Sequence, residues 1–208
     1  MREKMTMQVI SEVYHRQYQL DSVSDRALEA YAEIADELKR MFRPRNAMDV
    51  GCGGGALLQG FLDRNVDAYG IEGSSHAAQM HPRIDLHDLR NPYSKKSISY
   101  GGYDLVTSFD VGEHIEPECA LEFTKTIKKL MGNQGWLVFG AAGEGQDGLG
   151  HVNCRQMPYW IDLFERQGLT FFAGLSEDVR MAIAAREHAN FAWWVSKNLI
   201  VFKNEGRK

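Results

Sequence analysis

Between positions 25 and 42, apolar side chains recur at Ala27, Leu28, Tyr31, Ile34, Ala35, Leu38, Met41 and Phe42. This is the three-and-four spacing of an amphipathic helix, and Pro44 follows just beyond its end. An earlier stretch, 7–20, carries Val9, Ile10, Val13, Tyr14 and Tyr18 and is expected to form a second helix. After Pro44 the texture changes. Short apolar runs predict strands at 46–50, 66–71, 84–87, 103–108 and 136–140, with helices from about 56 to 63, 74–80 and 118–131 between them. Further on, the pattern predicts a helix at 156–167, a strand at 169–173, a helix at 177–188 and a long strand at 193–202. Strands alternating with helices argue for an α/β fold, an open and mostly parallel sheet with helices on both faces. The closing strands suggest an antiparallel edge.

Where glycines interrupt this pattern, chemistry enters. The first strand runs Asp49-Val50-Gly51-Cys52-Gly53-Gly54-Gly55-Ala56. Glycines at alternate positions permit a sharp turn from strand to helix and let a ligand approach the backbone. The N-terminus of the next helix offers unpaired N–H groups. The second strand ends Ile71-Glu72, where a carboxylate is placed to accept both hydroxyls of a ribose. Together these features point to an adenosine-containing ligand. The loose dinucleotide fingerprint is satisfied by Gly51, Gly53 and Ala56, and alone it is a weak signal. Asp49 weighs against a diphosphate, because like charges repel; a ligand bearing an amino group or a sulfonium would gain from it.

Composition narrows the setting. Lys and Arg number 24 against 28 Asp and Glu in 208 residues, a net charge of -4, so bulk capture of nucleic-acid phosphates is not expected. No apolar run approaches the ~18 residues of a membrane span, and the first residues lack the apolar core of a signal peptide. Three cysteines without a CxxC pair argue against a disulfide scaffold or a cysteine-based zinc site. The expectation is a cytoplasmic protein, monomeric or homodimeric. Residues 1–208 would form a single domain, with a helical cap over 1–43 and the sheet over 44–208.

The string Asp49-x-Gly51-x-Gly53-x-Gly55 resembles the signature loop of the Rossmann-like, class I S-adenosylmethionine (SAM)-dependent methyltransferases. Three further blocks follow at suitable distances. They are Glu72 at the end of the second strand, Asp88-Leu89 after the third, and Tyr103-Asp104-Leu105-Val106-Thr107-Ser108-Phe109-Asp110-Val111-Gly112-Glu113-His114-Ile115 over the fourth. The resemblance is good over 46–140 and weaker towards the C-terminus. It implies a seven-stranded Rossmann-like sheet, SAM as cofactor and S-adenosylhomocysteine as product. By the same resemblance, Asp49, Gly51, Cys52, Gly53 and Gly55 would border the methionine moiety and ribose. Glu72 would bind the ribose with Gly73 and Ser74 beside it, and Asp88 and Leu89 would flank adenine. Phe109, Asp110 and Val111 would lie where the methyl group points. Gly112 departs from the family, whose members more often carry a bulkier residue there. Tyr14, His15, Arg16 and Tyr18 form either a cap reaching the methionine carboxylate or a plain amphipathic helix.

Ligands of open α/β sheets sit beyond the carboxyl ends of the strands. That rule brings the Gly-rich loop 143–150, followed by His151-Val152-Asn153, beside the site as a lid. Methyl transfer asks the protein for alignment, desolvation and, where needed, removal of a proton. Candidate bases are His151, then His114, then Asp110; Glu113 is a further candidate or a helix-orienting group. Glu144, Asp147 and His151 have no diagnostic metal spacing, and no metal is expected. Phe191, Trp193 and Trp194 form an aromatic group explained by burial. The expected function is methylation of O, N or C on a small molecule. A protein or RNA acceptor, or a non-catalytic adenosine-ligand-binding protein, is the alternative. The Asn/Asp-Pro-Pro-Tyr/Phe block of many nucleic-acid and protein methylating enzymes is missing after the fourth strand, where Ser108-Phe109-Asp110-Val111 stands instead.

Overall fold

A computed structural model of the chain describes residues 25–94 and 101–206. The expected helix at 7–20, with Tyr14, His15, Arg16 and Tyr18, lies outside them, as does the side chain of Phe191. Helix α1 (Asp25–Phe42) leads into β1 (Asn46–Val50), α2 (Ala56–Asp63), β2 (Asp67–Glu72), the short α3 (Ser75–Ala78) and β3 (Ile84–Leu86). Next come β4 (Tyr103–Phe109), a 3-10 turn at Gly112–His114, α4 (Ala120–Leu130) and β5 (Met131–Gly140). The chain continues through α5 (Met157–Arg166), β6 (Thr170–Phe171), α6 (Ala173–Ala184), a second 3-10 turn (Ala189–Ala192), α7 (Trp193–Asn198) and β7 (Ile200–Lys203).

The strands form one seven-stranded sheet in the order β3-β2-β1-β4-β5-β7-β6. β1 pairs in parallel with β2, Val50 opposite Ile71, and with β4, Asp49 opposite Thr107. The strand order therefore reverses between β1 and β4, the switch point at which open sheets leave a crevice for ligands. The antiparallel side expected at the C-terminal end is present: β7 runs antiparallel to both β5 and β6. It is inserted between them, so the short β6 forms the edge.

Alternation along the strands builds an apolar layer on each face. Leu137, Phe139, Ile200 and Phe202 join Phe123 of α4 and Trp160 and Phe164 of α5 on one side. Val138, Val201 and Leu105 join Ile34 and Leu38 of α1, Phe61 of α2 and Val179 and Ile183 of α6 on the other. Helices on both faces follow from this.

One expectation is corrected. Residues 193–202 are not one strand, because Trp193–Asn198 is helical and only Ile200–Lys203 pairs. In helical form Val195 is buried, while the exposed Trp193 stacks under the Lys197 ammonium one turn later, 5.3 Å from its ring centroid. A strand would have set residues 193 and 197 on the same face but two pleats apart. The expected 169–173 strand shrinks to two residues, since helix α6 begins already at Ala173 rather than at 177. Among the described residues no helix is long and apolar enough to cross a membrane.

Candidate functional site

The carboxyl ends of β1, β2 and β4 converge at the switch point, and the glycine loop lies across them. Gly51 and Cys52 both donate to the Ile71 carbonyl, at 2.7 and 3.2 Å, which fastens the loop to β2. Gly51 has φ +77°, and a Cβ on it would lie 2.2 Å from a methyl carbon of Val111. Both the left-handed backbone and the close approach of the β4 segment require glycine at this position. The Cys52 side chain turns towards Gly70 of β2, where its sulfur would lie 2.4 Å from an added Cβ. Burial raises the Cys52 thiol pKa, with Asp49 and Glu72 adding to the effect.

Glu72 is buried, and its two oxygens are held by backbone N–H groups. Gly53 donates to one at 2.9 Å and Ser74 to the other at 2.7 Å. Burial raises its pKa while these donors pull it back. A carboxylate has about four lone-pair directions, so capacity remains for the vicinal hydroxyls of a ribose. Ser74 also caps α3, accepting from Ala77, and Gly73 lies beside the His87 carbonyl.

Asp49 is the acidic residue that the spacing singled out. It is buried, accepts a 2.7 Å hydrogen bond from the Thr107 hydroxyl, and has its pKa pushed up to about 7 by burial, with Glu72 adding to the shift. Asp110, just past β4, adopts φ +56°. Its pKa is likewise raised to about 7, by burial and by Glu113, while a hydrogen bond with Trp194 opposes the shift. Both acids also act on Tyr31 of α1, whose phenol is raised by burial first and then by Asp110 and Asp49. Among the described residues, none of Asp49, Glu72, Asp110 and Glu113 forms an ion pair with Lys or Arg. Buried acids gathered at one crevice cost stability, and strongly perturbed acids of this kind cluster at functional sites.

Glu113 is 1% exposed and belongs to the 3-10 turn that follows β4. Its carboxylate accepts from the Ala142 N–H, and its Oε2 has no partner. The turn also anchors the loop after β5, since the Glu113 carbonyl accepts from both Val152 and Asn153. His114 and His151 meet edge to face with ring centroids 4.8 Å apart. Burial, then His151, lowers the His114 pKa to about 4. Gly112 explains the departure from the family: a Cβ there would lie 2.7 Å from the Trp160 ring. The indole fills the volume that a bulkier residue would take.

The expected site residues thus gather in two groups. Asp49, Gly51, Gly53, Gly55, Glu72, Gly73 and Ser74 line the β1–β2 side, and Asp110, Glu113, His114 and His151 line the β4–β5 side. Phe109 and Val111 are buried between them, in opposite apolar layers. Asp88 is already engaged, because Arg90 grips both its oxygens at 2.8 and 2.7 Å and holds its pKa below the usual carboxylate range. Leu89 is buried beside it. Tyr31 and Trp194 were read only as apolar positions. They come near the acids because α1 and α7 pack beside the sheet, a tertiary fact that periodicity does not carry. The loop 143–150 is braced: the Gln146 Oε1 accepts from Gly143 and from Asn198 of α7, each at 2.7 Å.

A family profile described as a methyltransferase domain matches residues 22–176. Among curated protein sequences none matches significantly. Solved structures share the fold. The N-methyltransferase NodS from Bradyrhizobium japonicum, in complex with S-adenosylhomocysteine, superposes with a TM-score of 0.64 at 15% identity, covering 95% of this chain and 99% of its own. SAM-bound CalS10, an amino pentose methyltransferase from Micromonospora echinaspora, gives 0.63 at 15% identity, covering 92% and 96%. A TehB-like SAM-dependent methyltransferase from Corynebacterium glutamicum gives 0.59 at 20% identity, covering 78% and 84%. The residues present fit the cofactor that this family uses. The uncompensated acids Asp49 and Asp110 suit a ligand with an ammonium and a sulfonium, and Glu72 suits its ribose. The chain belongs to the methyltransferase-domain family, and its reaction is SAM-dependent methyl transfer.

Proposed function

We propose that this chain methylates an O, N or C nucleophile of a small organic molecule. Bound SAM supplies an electrophilic methyl group on a sulfonium; the rest is the work of this chain's side chains. Asp49, fixed by Thr107, ionises against the positively charged amino end, and Glu72 takes the ribose hydroxyls. Gly51 lets the backbone close on the ligand. Phe109 and Val111 exclude water from the methyl group, which strengthens every electrostatic interaction around it. His151, His114 and Asp110 form the polar wall from which the acceptor's proton is removed.

Beside the loop after β5 lies a cavity of about 260 Å³ that agrees with a small acceptor. Phe139, Ala141, Glu144, Arg155, Trp160 and Asn198 line it, and the neighbouring Ala142 bonds to Glu113. Its volume suits a small molecule with a few polar groups, close to the lower end of ordinary ligand pockets. The small-molecule acceptor named for CalS10 supports the same reading.

Calorimetry of the full chain with SAM and with NAD, followed by SAM turnover against a panel of small alcohols, amines and phenols, tests it. Saturable SAM binding and acceptor-dependent release of S-adenosylhomocysteine are expected. Binding of NAD alone would overturn the cofactor assignment, and turnover only with RNA or protein would overturn the acceptor class.

A further inference from the structure

We propose that Glu113, His114 and His151 form a site for one divalent transition-metal cation on the acceptor side of the methyl-donor crevice. They come from two separate parts of the chain, the turn after β4 and the end of the loop after β5. Yet one ligand atom from each lies within 4.8 Å of the other two. Around a metal at ~2.0–2.2 Å from each ligand, neighbouring ligand atoms stand about 3–3.5 Å apart. Small side-chain rotations close that gap.

Four features point to an ion rather than to a chance cluster. Glu113 is almost wholly enclosed, and its Oε2 has no hydrogen-bond partner; a buried carboxylate oxygen left in this way is costly unless something binds it. The His114 Nδ1 is 3.2 Å from the Gly150 carbonyl, and the His151 Nδ1 is 2.8 Å from the Gln146 carbonyl. A carbonyl only accepts, so each Nδ1 carries a proton and Nε2 is the nitrogen left to ligate. That is the tautomer a metal needs, fixed by the backbone partner that usually accompanies a ligating histidine. A second acid stands beside the cluster: Asp110 is close enough to Glu113 and His151 for both to act on it, so two carboxyl groups face the ion.

Two imidazoles with a carboxylate are a borderline donor set, suited to Mn²⁺, Fe²⁺, Co²⁺ or Zn²⁺ rather than to Ca²⁺. The set is distinct from Glu144 and Asp147. Glu144 bonds to Gln156, and among the described residues neither it nor Asp147 joins the cluster. The use of the ion rests on the methyltransferase reading. Beside the methyl donor, the ion would hold an acceptor hydroxyl and make its proton easier to remove. Asp110 takes that proton, and the oxygen lone pair forms the new C–O bond. The C–S bond breaks with its electron pair left on sulfur. His114 and His151 then act as ligands, and Asp110 is the base.

The test uses the full chain, freed of metal by chelator dialysis. It is titrated with MnCl₂, read by loss of the free-ion paramagnetic resonance signal, and with CoCl₂, read by visible absorption. Calorimetry with SAM runs alongside. One equivalent of Mn²⁺ is expected to bind, and His151→Ala and Glu113→Gln should each weaken it at least ~10-fold, the scale seen when metal-site groups are removed. The cobalt band should be lost in both. His151→Ala lies on a loop and guards against misfolding of the buried Glu113 variant, with retained SAM affinity as the check on folding. No metal binding by wild type that still binds SAM overturns the site, as does equal binding by the variants. Metal binding without SAM binding would instead preserve the site and remove the methyl-transfer reading.

Discussion

Glu72 shows how one side chain serves structure and ligand together. It closes the loop by accepting from Gly53 and Ser74, and in the function proposed above its remaining acceptor capacity serves the ribose. Replacing it with alanine removes a charged acceptor from the ligand and leaves two N–H groups without their partner. We expect Glu72→Ala to bind SAM ~1.5–3 kcal/mol more weakly, the value of hydrogen bonds to a charged group, and to melt at a lower temperature. Calorimetry and a melting curve measure both, and unchanged SAM affinity would remove the ribose role. At this scale much was legible in the chain. Asp49, Glu72 and the alternating glycines declare themselves, because each residue type has a narrow physical use at the end of a strand. Tyr31 and Trp194 do not. An aromatic residue on a helix reads as core, and nothing local shows that it will come close to an acid from another element. Asp88 errs the other way: the carboxylate is visible in the sequence, but its capture by Arg90 two residues later is a matter of side-chain geometry.

Among the elements, the parallel part of the sheet is legible and its closing end is not. β1 to β5 carry apolar runs bounded by glycine and polar turns, so they are recognised as strands even where their ends shift. Residues 193–202 hold two tryptophans, two valines, leucine and isoleucine, a composition that suits a strand. Helix α7 wins because Trp194 then reaches Asp110 and Asn198 reaches the loop after β5, contacts that a strand cannot supply. That loop was expected to act as a lid, and it is cross-braced through one side chain. Gln146 accepts from Gly143 and Asn198 with its side-chain oxygen, while its backbone carbonyl receives His151. Gln146→Ala removes two of these three bonds and leaves the residues assigned to the cofactor untouched. We expect SAM affinity to stay within about threefold, the global melting temperature to fall only slightly, and amide exchange over 143–151 to accelerate at least ~10-fold as local opening becomes easier. Exchange rates unchanged from wild type would show that the brace does not hold the loop.

For the molecule as a whole, the site is a standing conflict between stability and function. The chain carries a net charge of -4 and buries several of its acids around one crevice, and Asp49 shows what this costs. In the unfolded chain its carboxyl titrates near ~3.9, whereas in the fold it is raised to about 7. Between those two values the folded protein holds a proton that the unfolded chain has released. Raising the pH therefore favours unfolding across that window, and the effect levels off above about 7. Asp49→Asn removes this contribution while retaining an acceptor for Thr107. The ligand-free variant is expected to lose stability less steeply than wild type between pH 5 and 7.5 and to melt higher at pH 7.5. The gain scales at ~2–4 °C per kcal/mol for a chain of this size. SAM should reverse the ranking, because it stabilises in proportion to its affinity and the variant has lost the charge that faces the amino end. Melting curves across that pH range, with and without SAM, read both effects in one experiment. Parallel pH profiles for the two ligand-free proteins would show that Asp49 does not hold an unfavourable charge. An unchanged response to SAM would show that the charge is not there for the cofactor.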